Sequence, residues 1–326
     1  MLAPVINFLD LPADMQQNIV DALNIYEAST WAKVSKSGRQ FVKGRMECVL
    51  ALTHYPFNMG INELYTINKI RVTGIELNDI ITLTKALTSG GLANLKELRV
   101  FNILGLAENQ AGDDGLKALA EPLSKGALDK LTVLHLNDNQ FTDDGFAIIM
   151  PYLRKGGKLS NLTEFSIGTG ITDKGMKKFA DILSKGALPQ CTYINLEKNQ
   201  IGDKGLEAFA GALSKGALAN LNELYFYSNK IGDKGLEAFA DALSKETLAQ
   251  LTVLDLRYNK IGDDGLKALA ESLSKGALAN VKELCIDDHA AKQQLEDVCN
   301  TRSIFIIHLY EYHPYDEDPD FGVEYS

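Results

Sequence analysis

Hydrophobic and polar positions along this chain recur with a period of 30 residues. The repeating segments begin at Leu188, Leu218, Leu248 and Leu278, and the two middle segments are nearly copies of one another. A fixed period of about 20 to 50 residues is typical of solenoids, in which each unit buries its apolar face only against its neighbours. The pattern therefore predicts a repeat array, an architecture that usually serves as a surface for holding another molecule.

Two shorter periodicities lie within each repeat. In the repeat that starts at Leu248, Leu254 and Leu256 alternate with a polar residue, as they would in a strand. Leu266 and Leu269 begin a run with helical spacing. Each repeat is thus predicted to form a strand, a turn and a helix. Parallel strands joined by helical crossovers follow from this order, so the predicted fold class is α/β.

Two polar elements repeat together with the leucines. An asparagine follows each strand, where its amide can satisfy backbone groups that leave the sheet. These asparagines are Asn139, Asn199, Asn229 and Asn259. A Gly-Asp-Lys/Asp-Gly element precedes the helices, at residues 112–115, 202–205, 232–235 and 262–265. We interpret its Asp as a helix N-cap and its Gly as the source of turn conformations, so that calcium binding is not needed to explain it.

The combined pattern LxxLxLxxNxIgdxGlxxLaxaL resembles the long leucine-rich repeats of the ribonuclease-inhibitor type. The resemblance covers residues 92–288 and continues into a degenerate repeat at 61–91. It implies an α/β solenoid shaped like a horseshoe, with parallel strands on the concave face and helices on the convex face. It also implies that the chain is a recognition scaffold for another protein.

Functional information is expected where neighbouring repeats differ at exposed positions. The residues that flank the inward leucines of each strand do differ, and strand alternation places them on one face. Tyrosine and arginine are favoured in interface hot spots. The predicted partner-binding residues on the concave face are Phe101, His135, Tyr193, Tyr225, Tyr227, Arg257 and Tyr258. The alternative is that the tyrosines simply cover a sheet surface, where aromatic residues have high strand propensity.

Residues before the array do not follow its period and have helical patterns of their own. The segment FLDLPADMQQNIVDAL...WAKVSKSGRQF resembles an F-box, a helical module that docks on the Skp1 adaptor of a cullin ubiquitin ligase. The motif positions that match are Leu11, Pro12, Asp14, Ile19, Leu23, Val34 and Ser35. The docking residues that the resemblance implies are Leu9, Leu11, Pro12, Ile19 and Leu23. Gly38 stands where the family commonly has Trp, so the sequence departs from the family at the third helix.

Taken together, these features divide the chain into five parts. They are a helical F-box-like module at 1–48, a linker and degenerate repeat at 49–91, repeats at 92–288, a capping helix and strand at 289–310, and an acidic tail at 311–326. Joined to a leucine-rich array, the F-box-like module would make the chain a substrate adaptor. Alternatively, the N-terminal helices only cap the array, and the chain is a stand-alone binding or inhibitor module.

Composition narrows the range of partners and compartments. The net charge of −10 and pI of about 5.1 disfavour nucleic acids and anionic membranes and favour a basic protein surface. The four cysteines show no CxxC spacing, which fits reduced thiols in a cytoplasm. We expect the chain to be monomeric outside its complexes. The acidic tail and uniform repeats are also similar to type IV secreted bacterial effectors, which would imply delivery into a host cytosol.

Sequence motifs for catalysis are missing from this chain. It has no phosphate loop, no nucleophile elbow and no metal-ligand spacing among its histidines and cysteines. We therefore expect no enzymatic activity, no cofactor and no metal. The remaining enzymatic alternative is a GTPase-activating protein, because similar repeats occur in such proteins and act through an exposed arginine. Arg99 and Arg257 would be the candidates.

Overall fold

The computed structural model describes residues 47–50, 69–73, 96–101, 112–137, 139–244, 247–287 and 292–307, with the first three strands described by their backbone. The candidate docking residues Leu9, Leu11, Pro12, Ile19 and Leu23 lie outside these ranges, as does the acidic segment 311–326. The F-box-like module and the tail therefore stay predictions.

The described residues form two compact units. The first spans 1–170 and 185–191, and the second spans 171–184 and 192–326. In the first unit the elements are β1 (Glu47–Leu50), β2 (Lys69–Thr73), β3 (Glu97–Phe101), α1 (Gly112–Ser124), β4 (Val133–Leu136), α2 (Asp143–Leu153) and β5 (Glu164–Ile167). Each of these strands pairs in parallel with the next one in the sequence.

The second unit repeats the same alternation of helix and strand. Its elements are α3 (Asp173–Leu183), β6 (Tyr193–Asn195), α4 (Asp203–Leu213), β7 (Glu223–Tyr225), α5 (Asp233–Leu243), β8 (Val253–Asp255), α6 (Asp263–Ser274), β9 (Glu283–Cys285), α7 (Lys292–Arg302) and β10 (Phe305–Ile307). The strands are again parallel and in sequence order, and each helix packs against the next. The predicted strand, turn and helix of each repeat are confirmed.

The core of the second unit lies between its sheet and its helices. The central residue of each strand from β6 to β9 is apolar and almost fully buried, and these residues are Ile194, Leu224, Leu254 and Leu284. On the helical side, Leu236, Phe239 and Leu243 of α5 are buried at helical spacing. Burial of one such side chain contributes about 1.5–3 kcal/mol, so the two periodicities of the sequence converge on one apolar layer.

Asparagines that follow strands of the second unit, Asn199, Asn229 and Asn259, link successive repeats. Asn229 accepts a hydrogen bond from the backbone N–H of Ile201 at 3.0 Å and donates to the carbonyls of Leu196 at 2.9 Å and Phe226 at 3.0 Å. Asn259 makes the equivalent bonds one repeat later. Because the side chain is part-buried or buried, these bonds satisfy backbone groups that water cannot reach. The predicted structural role of the asparagines is confirmed.

The aspartate of the Gly-Asp-x-Gly element has a different role from the predicted one. Helix α5 begins at Asp233, but its N-cap is Gly232, and no side chain of that cap bonds to the helix. Asp203, at the start of α4, instead accepts hydrogen bonds from the N–H groups of Gly232 at 2.7 Å and Gly235 at 3.0 Å. Each carboxylate thus caps the helix of the next repeat, where the helix dipole favours a negative charge.

The same contact explains the second glycine of the element. A Cβ atom at Gly235 would lie 2.8 Å from both Cα and Oδ1 of Asp203, which is closer than such atoms approach. The first glycines, Gly202, Gly232 and Gly262, have φ values of −107°, −109° and −110°, which most residues can adopt. In these repeats the glycines therefore provide space for the neighbouring aspartate rather than unusual turn conformations.

The array ends in the described residues with α7 and β10. Strand β10 pairs in parallel with β9. Arg302, in the last turn of α7, donates hydrogen bonds to the carbonyls of Leu273 at 3.0 Å, Ala277 at 2.7 Å and Leu278 at 2.7 Å. These carbonyls lie at the end of α6 and in the turn after it, so the guanidinium supplies donors to a helix C-terminus.

We predict opposite effects of one substitution at two helical glycines. Gly235→Ala should lower the free energy of unfolding by about 1–3 kcal/mol, because the new methyl group collides with Asp203. Gly211→Ala, in α4, should raise it by about 0.5–1 kcal/mol, because nothing lies within 4 Å of its Cβ position. Urea denaturation followed by circular dichroism measures both, and equal effects would contradict the capping arrangement.

Candidate functional site

In the second unit, one face of the sheet points away from the helices, and we call it the open face. Its positions are every second residue from the start of each strand into the turn: Tyr193, Asn195, Glu197, Glu223, Tyr225, Tyr227, Val253, Asp255, Arg257, Glu283, Cys285 and Asp287. The strand register places equivalent residues side by side, as in the row Asn195, Tyr225, Asp255 and Cys285. The face is therefore an ordered grid of side chains whose backbone is set by the repeat.

Two pairs of tyrosines contact each other on this face. The ring centroids of Tyr193 and Tyr225 are 5.3 Å apart. Those of Tyr227 and Tyr258 are 4.9 Å apart, with an interplanar angle of 64° that makes the contact edge to face. Aromatic pairs at these separations contribute about 0.5–1.5 kcal/mol beyond their buried area. Arg257 lies against Tyr227, so the five residues predicted from the second unit form two contacting groups, Tyr193 with Tyr225 and Tyr227 with Tyr258 and Arg257.

Arg257 forms a buried ion pair on the open face. Its Nη2 atom is 2.6 Å from Oδ2 of Asp255, and its Nε atom donates to the same carboxylate. Arg257 is 4% exposed and Asp255 is 1% exposed. The guanidinium carbon is also 5.6 Å from the ring centroid of Tyr227, within the range of a cation–π contact. Arg257 is thus a support for Tyr227, and it would have to leave this pair to act as a GTPase-activating arginine.

Burial and neighbouring charges together shift the pKa values of three groups on the open face. Burial lowers the pKa of Arg257, but the hydrogen bond and the charge of Asp255 outweigh it, so the pKa lies above its usual value. Burial also raises the pKa of the Tyr225 phenol, and Glu223 adds to the effect by its charge and by accepting the phenolic hydrogen bond at 2.9 Å. Burial, with the charge of Asp255, raises the pKa of the Cys285 thiol to about 12. The phenol and the thiol therefore stay neutral at physiological pH.

Exposure separates the predicted binding residues into two groups. Tyr258 is 48% exposed, and Tyr193 and Tyr227 are partly exposed, whereas Tyr225 is only 5% exposed. Tyr225 and Arg257 are thus buried supports beneath the three tyrosines that reach solvent. Contact of these residues with a partner stays a prediction, but the surface available for it is smaller than the sequence indicates.

Tyr258 is held in a defined orientation at the edge of the open face. Its φ of 53° is in the left-handed region, which an aromatic residue seldom adopts. The backbone N–H of Tyr258 donates to Oδ1 of Asp287 at 2.9 Å, and the next N–H donates to the same carboxylate. The equivalent residues Lys198 and Ser228 also have positive φ values, of 52° and 55°. The left-handed backbone conformation is therefore a property of the repeat. Only the tyrosine side chain distinguishes residue 258 from its equivalents.

The open face has an excess of negative charge. Five of its twelve positions are carboxylates and one is a guanidinium, which gives a formal net charge of −4. The carboxylates are Glu197, Glu223, Asp255, Glu283 and Asp287. Of these, Asp255 was not predicted as a partner of Arg257. The sequence does contain a signal for this pair, because Asp255 and Arg257 are two residues apart and strand alternation puts such side chains on the same face.

Two of the predicted binding residues, Phe101 and His135, belong to strands of the first unit. His135 lies in β4, is 3% exposed, and has its Nε2 atom 3.2 Å from Oε2 of Glu164. Phe101 is the last residue of β3, whose side chains are outside the described part of the chain. Ser166 donates a hydrogen bond to the side chain of Asn137 nearby. His135 is therefore a buried residue of β4 that lies beside Glu164. Its contact with a partner protein stays a prediction.

The described residues offer little for metal or thiol chemistry. No group of three or more His, Cys, Asp or Glu residues in the described ranges could hold a metal ion. In the same ranges Cys191, Cys285 and Cys299 form no disulfide, and all three are buried. Within the same ranges, every helix is too short or too polar to cross a lipid bilayer.

Comparison with known proteins identifies the repeat. A family model described as Leucine Rich repeat matches residues 129–146, 192–210, 217–240 and 249–270. No curated protein matches the chain significantly. A solved protein from Bacteroides fragilis is 13% identical, with a TM-score of 0.48, over 87% of this chain and 81% of its own. An internalin from Listeria monocytogenes is 17% identical, with a TM-score of 0.28, over 76% of this chain and 82% of its own.

Together with the alternation of parallel strands and helices, the matched repeats confirm the predicted fold class. The architecture is an α/β leucine-rich-repeat solenoid. The matched segments include β4, β6, β7 and β8 together with the starts of the helices that follow them. The open face described above is therefore the strand surface of a leucine-rich-repeat array.

We predict that the buried ion pair acts as a unit. Asp255→Asn should lower the free energy of unfolding by about 3–5 kcal/mol, because it removes the counter-charge of a buried guanidinium. Combining Asp255→Leu with Arg257→Met should cost less than the Asp255→Asn change alone, since neither charge then remains. Urea denaturation curves give these values. Glu271→Gln, in the exposed pair of Glu271 with Lys275, is the control and should leave the midpoint unchanged.

Proposed function

We propose that this chain is a protein-binding scaffold and that the open face of its second unit binds a basic segment of a partner protein. Leucine-rich repeats are typically binding scaffolds rather than enzymes, which supports the general role. The observation that carries the specific proposal is the group of three tyrosines that reach solvent, Tyr193 and Tyr227 on the open face and Tyr258 at its edge, on a surface with a formal net charge of −4. Two properties support this proposal: the tyrosine side chains are already ordered, and the surface around them is negatively charged.

Preorganisation favours a tight contact at the tyrosines. Tyr227 is fixed between the ring of Tyr258 and the guanidinium of Arg257, which is itself locked to Asp255. The backbone at Tyr258 is held by Asp287. Side chains that are already ordered lose little conformational entropy on binding, so more of the contact energy appears as affinity. Rigid aromatic groups at the centre of a surface are also the usual hot spots of protein interfaces.

Charge selects the chemistry of the partner. A lysine or arginine side chain that approaches the exposed ring of Tyr258 would meet an aromatic group beside a surface on which carboxylates outnumber the single guanidinium. Such a site stabilises a cation by both effects and repels an acidic segment. A basic, solvent-exposed segment of another protein is therefore the occupant that fits the open face.

The test is capture of a partner from cell lysate by the full chain, followed by affinity measurement with the purified partner. The double variant Tyr227→Ala/Tyr258→Ala should weaken binding at least about tenfold, because it removes the preorganised anchors. Higher salt should weaken binding of the parent protein, since the attraction is partly electrostatic. Tyr225 is left intact because its burial would make loss of folding an alternative explanation.

Lys204→Ala, an exposed change on α4 away from the open face, is the matched control and should bind like the parent protein. Unchanged affinity of the double tyrosine variant would reject the open face as the binding surface. Contact of the open face with an acidic segment of the partner would reject the proposed charge selection.

A finer form of the proposal concerns the N-terminal residues. We propose that Leu9, Leu11, Pro12, Ile19 and Leu23 dock on a Skp1-type adaptor, so that the partner on the open face becomes a substrate of a cullin ubiquitin ligase. What supports this is the resemblance of residues 8–41 to an F-box. The role requires a cytosol that contains the ligase, either the cell's own or that of a host.

We predict that the full chain retains purified Skp1 in a pull-down. Leu11→Ala/Pro12→Ala should abolish this retention, because both residues belong to the motif that contacts the adaptor, and it should leave capture of the open-face partner unchanged. If the folded parent protein fails to retain Skp1, the adaptor role is rejected and the chain is a stand-alone binding module. Circular dichroism of each protein verifies folding.

A further inference from the structure

A second surface of the second unit has the opposite charge to the open face. A groove of about 690 Å³ lies beside the first turns of α3 and the turns that follow β6 and β7. We call it the lysine groove, and its lining residues are Thr172, Asp173, Lys174, Lys177, Lys178, Gln200 and Lys230. Four lysines and one aspartate give this lining a formal charge of +3 in a protein whose net charge is −10.

The lysines of the groove come from two parts of the repeat. Lys174, Lys177 and Lys178 are exposed residues of α3, and their spacing of three and four places them on one side of the helix. Lys230 follows β7, and its Nζ atom donates to Oε1 of Gln200 at 3.0 Å. Helix and turns therefore present ammonium groups toward the same space.

The one acidic residue of the groove is committed to the scaffold. Oδ1 of Asp173 accepts hydrogen bonds from the backbone N–H of Gly202 at 2.7 Å and of Gly205 at 2.9 Å. This is the same capping contact that Asp203 makes with the following repeat. Its charge thus stabilises the start of α4, and Oδ1 of Asp173 is engaged within the scaffold.

Comparison of the repeats shows that the lysine pair is particular to α3. The positions of Lys177 and Lys178 are occupied by Glu and Ala in α4 and α5, and by Lys and Ala in α6. Both positions are on the solvent side of the helix, where the scaffold does not dictate the residue. In repeats that are otherwise nearly copies, a change at exposed positions is the place where a specific function is expected.

We propose that the lysine groove is a docking site for an acidic segment of a protein. The groove is shallow and open to solvent, so an extended stretch of a peptide can lie along it. Lysine ammonium groups are flexible point charges that can each meet a separate carboxylate. A nucleic acid fits less well, because its extended phosphate backbone would also run along the acidic remainder of the surface.

The inference goes beyond the binding of a basic segment at the open face and does not depend on it. The two surfaces have opposite formal charge, −4 on the open face and +3 in the lysine groove. A scaffold with two such sites would hold two segments of opposite charge, from one partner or from two. Each site can be tested with variants that leave the other intact.

The test uses the full chain and a fluorescein-labelled peptide of eight glutamates, with binding followed by fluorescence anisotropy at low salt. Lys177→Glu/Lys178→Glu should weaken binding at least about tenfold, because it turns two attractive contacts into repulsive ones. The matched control is Lys204→Glu/Lys234→Glu, which changes the net charge equally on α4 and α5 but outside the groove. The control should weaken binding less than about twofold.

Equal weakening by the two double variants would overturn the proposal, since it would mean that only net charge matters. The proposal would also be overturned if the parent protein does not bind the peptide, or if it binds an eight-residue oligothymidylate more tightly. Tyr227→Ala/Tyr258→Ala should bind the glutamate peptide like the parent protein. Failure of the lysine groove would therefore leave the function proposed for the open face standing, and the reverse holds as well.

Discussion

The contact on which this architecture depends is the hydrogen bond from one repeat's aspartate to the backbone N–H groups at the start of the next helix. In the second unit, Asp173, Asp203 and Asp233 all make it. It offsets the unsatisfied donors of a helix N-terminus and requires a glycine where the carboxylate approaches. Together with the asparagines at the ends of the strands, it fixes each repeat against its neighbour on both sides of the apolar core.

Such a rigid scaffold leaves the open face free to vary. Backbone positions on this face are set by strand pairing and by the asparagine bonds, so repeats with the same backbone carry different side chains there. The second unit uses this freedom to place tyrosines over a buried ion pair. An ion pair of this kind costs desolvation and is weak evidence for stability. Its position beneath Tyr227 agrees better with a role in holding an aromatic surface in one orientation.

The same logic applies to the helical side of the array. Capping by aspartate fixes where each helix begins, and its exposed residues are then free to carry charge of either sign. Helix α3 carries lysines where its neighbours carry glutamate or alanine. An acidic protein can therefore offer both an acidic aromatic face and a basic groove, since charge at short range follows the local side chains and not the net charge.

The fold class and the role of the asparagines follow from the sequence, because both depend on patterns within about one repeat and recur in several copies. The grouping of Tyr193, Tyr225, Tyr227, Arg257 and Tyr258 also follows, since strand alternation and a constant period bring them to one face. Three features could not be obtained in this way. The aspartates cap a neighbouring helix, Tyr225 and Arg257 are buried, and lysines of α3 meet Lys230 in one groove. Each of these involves side chains in neighbouring repeats, and the distance and burial between repeats are set by how their helices and strands pack, which a linear pattern does not contain.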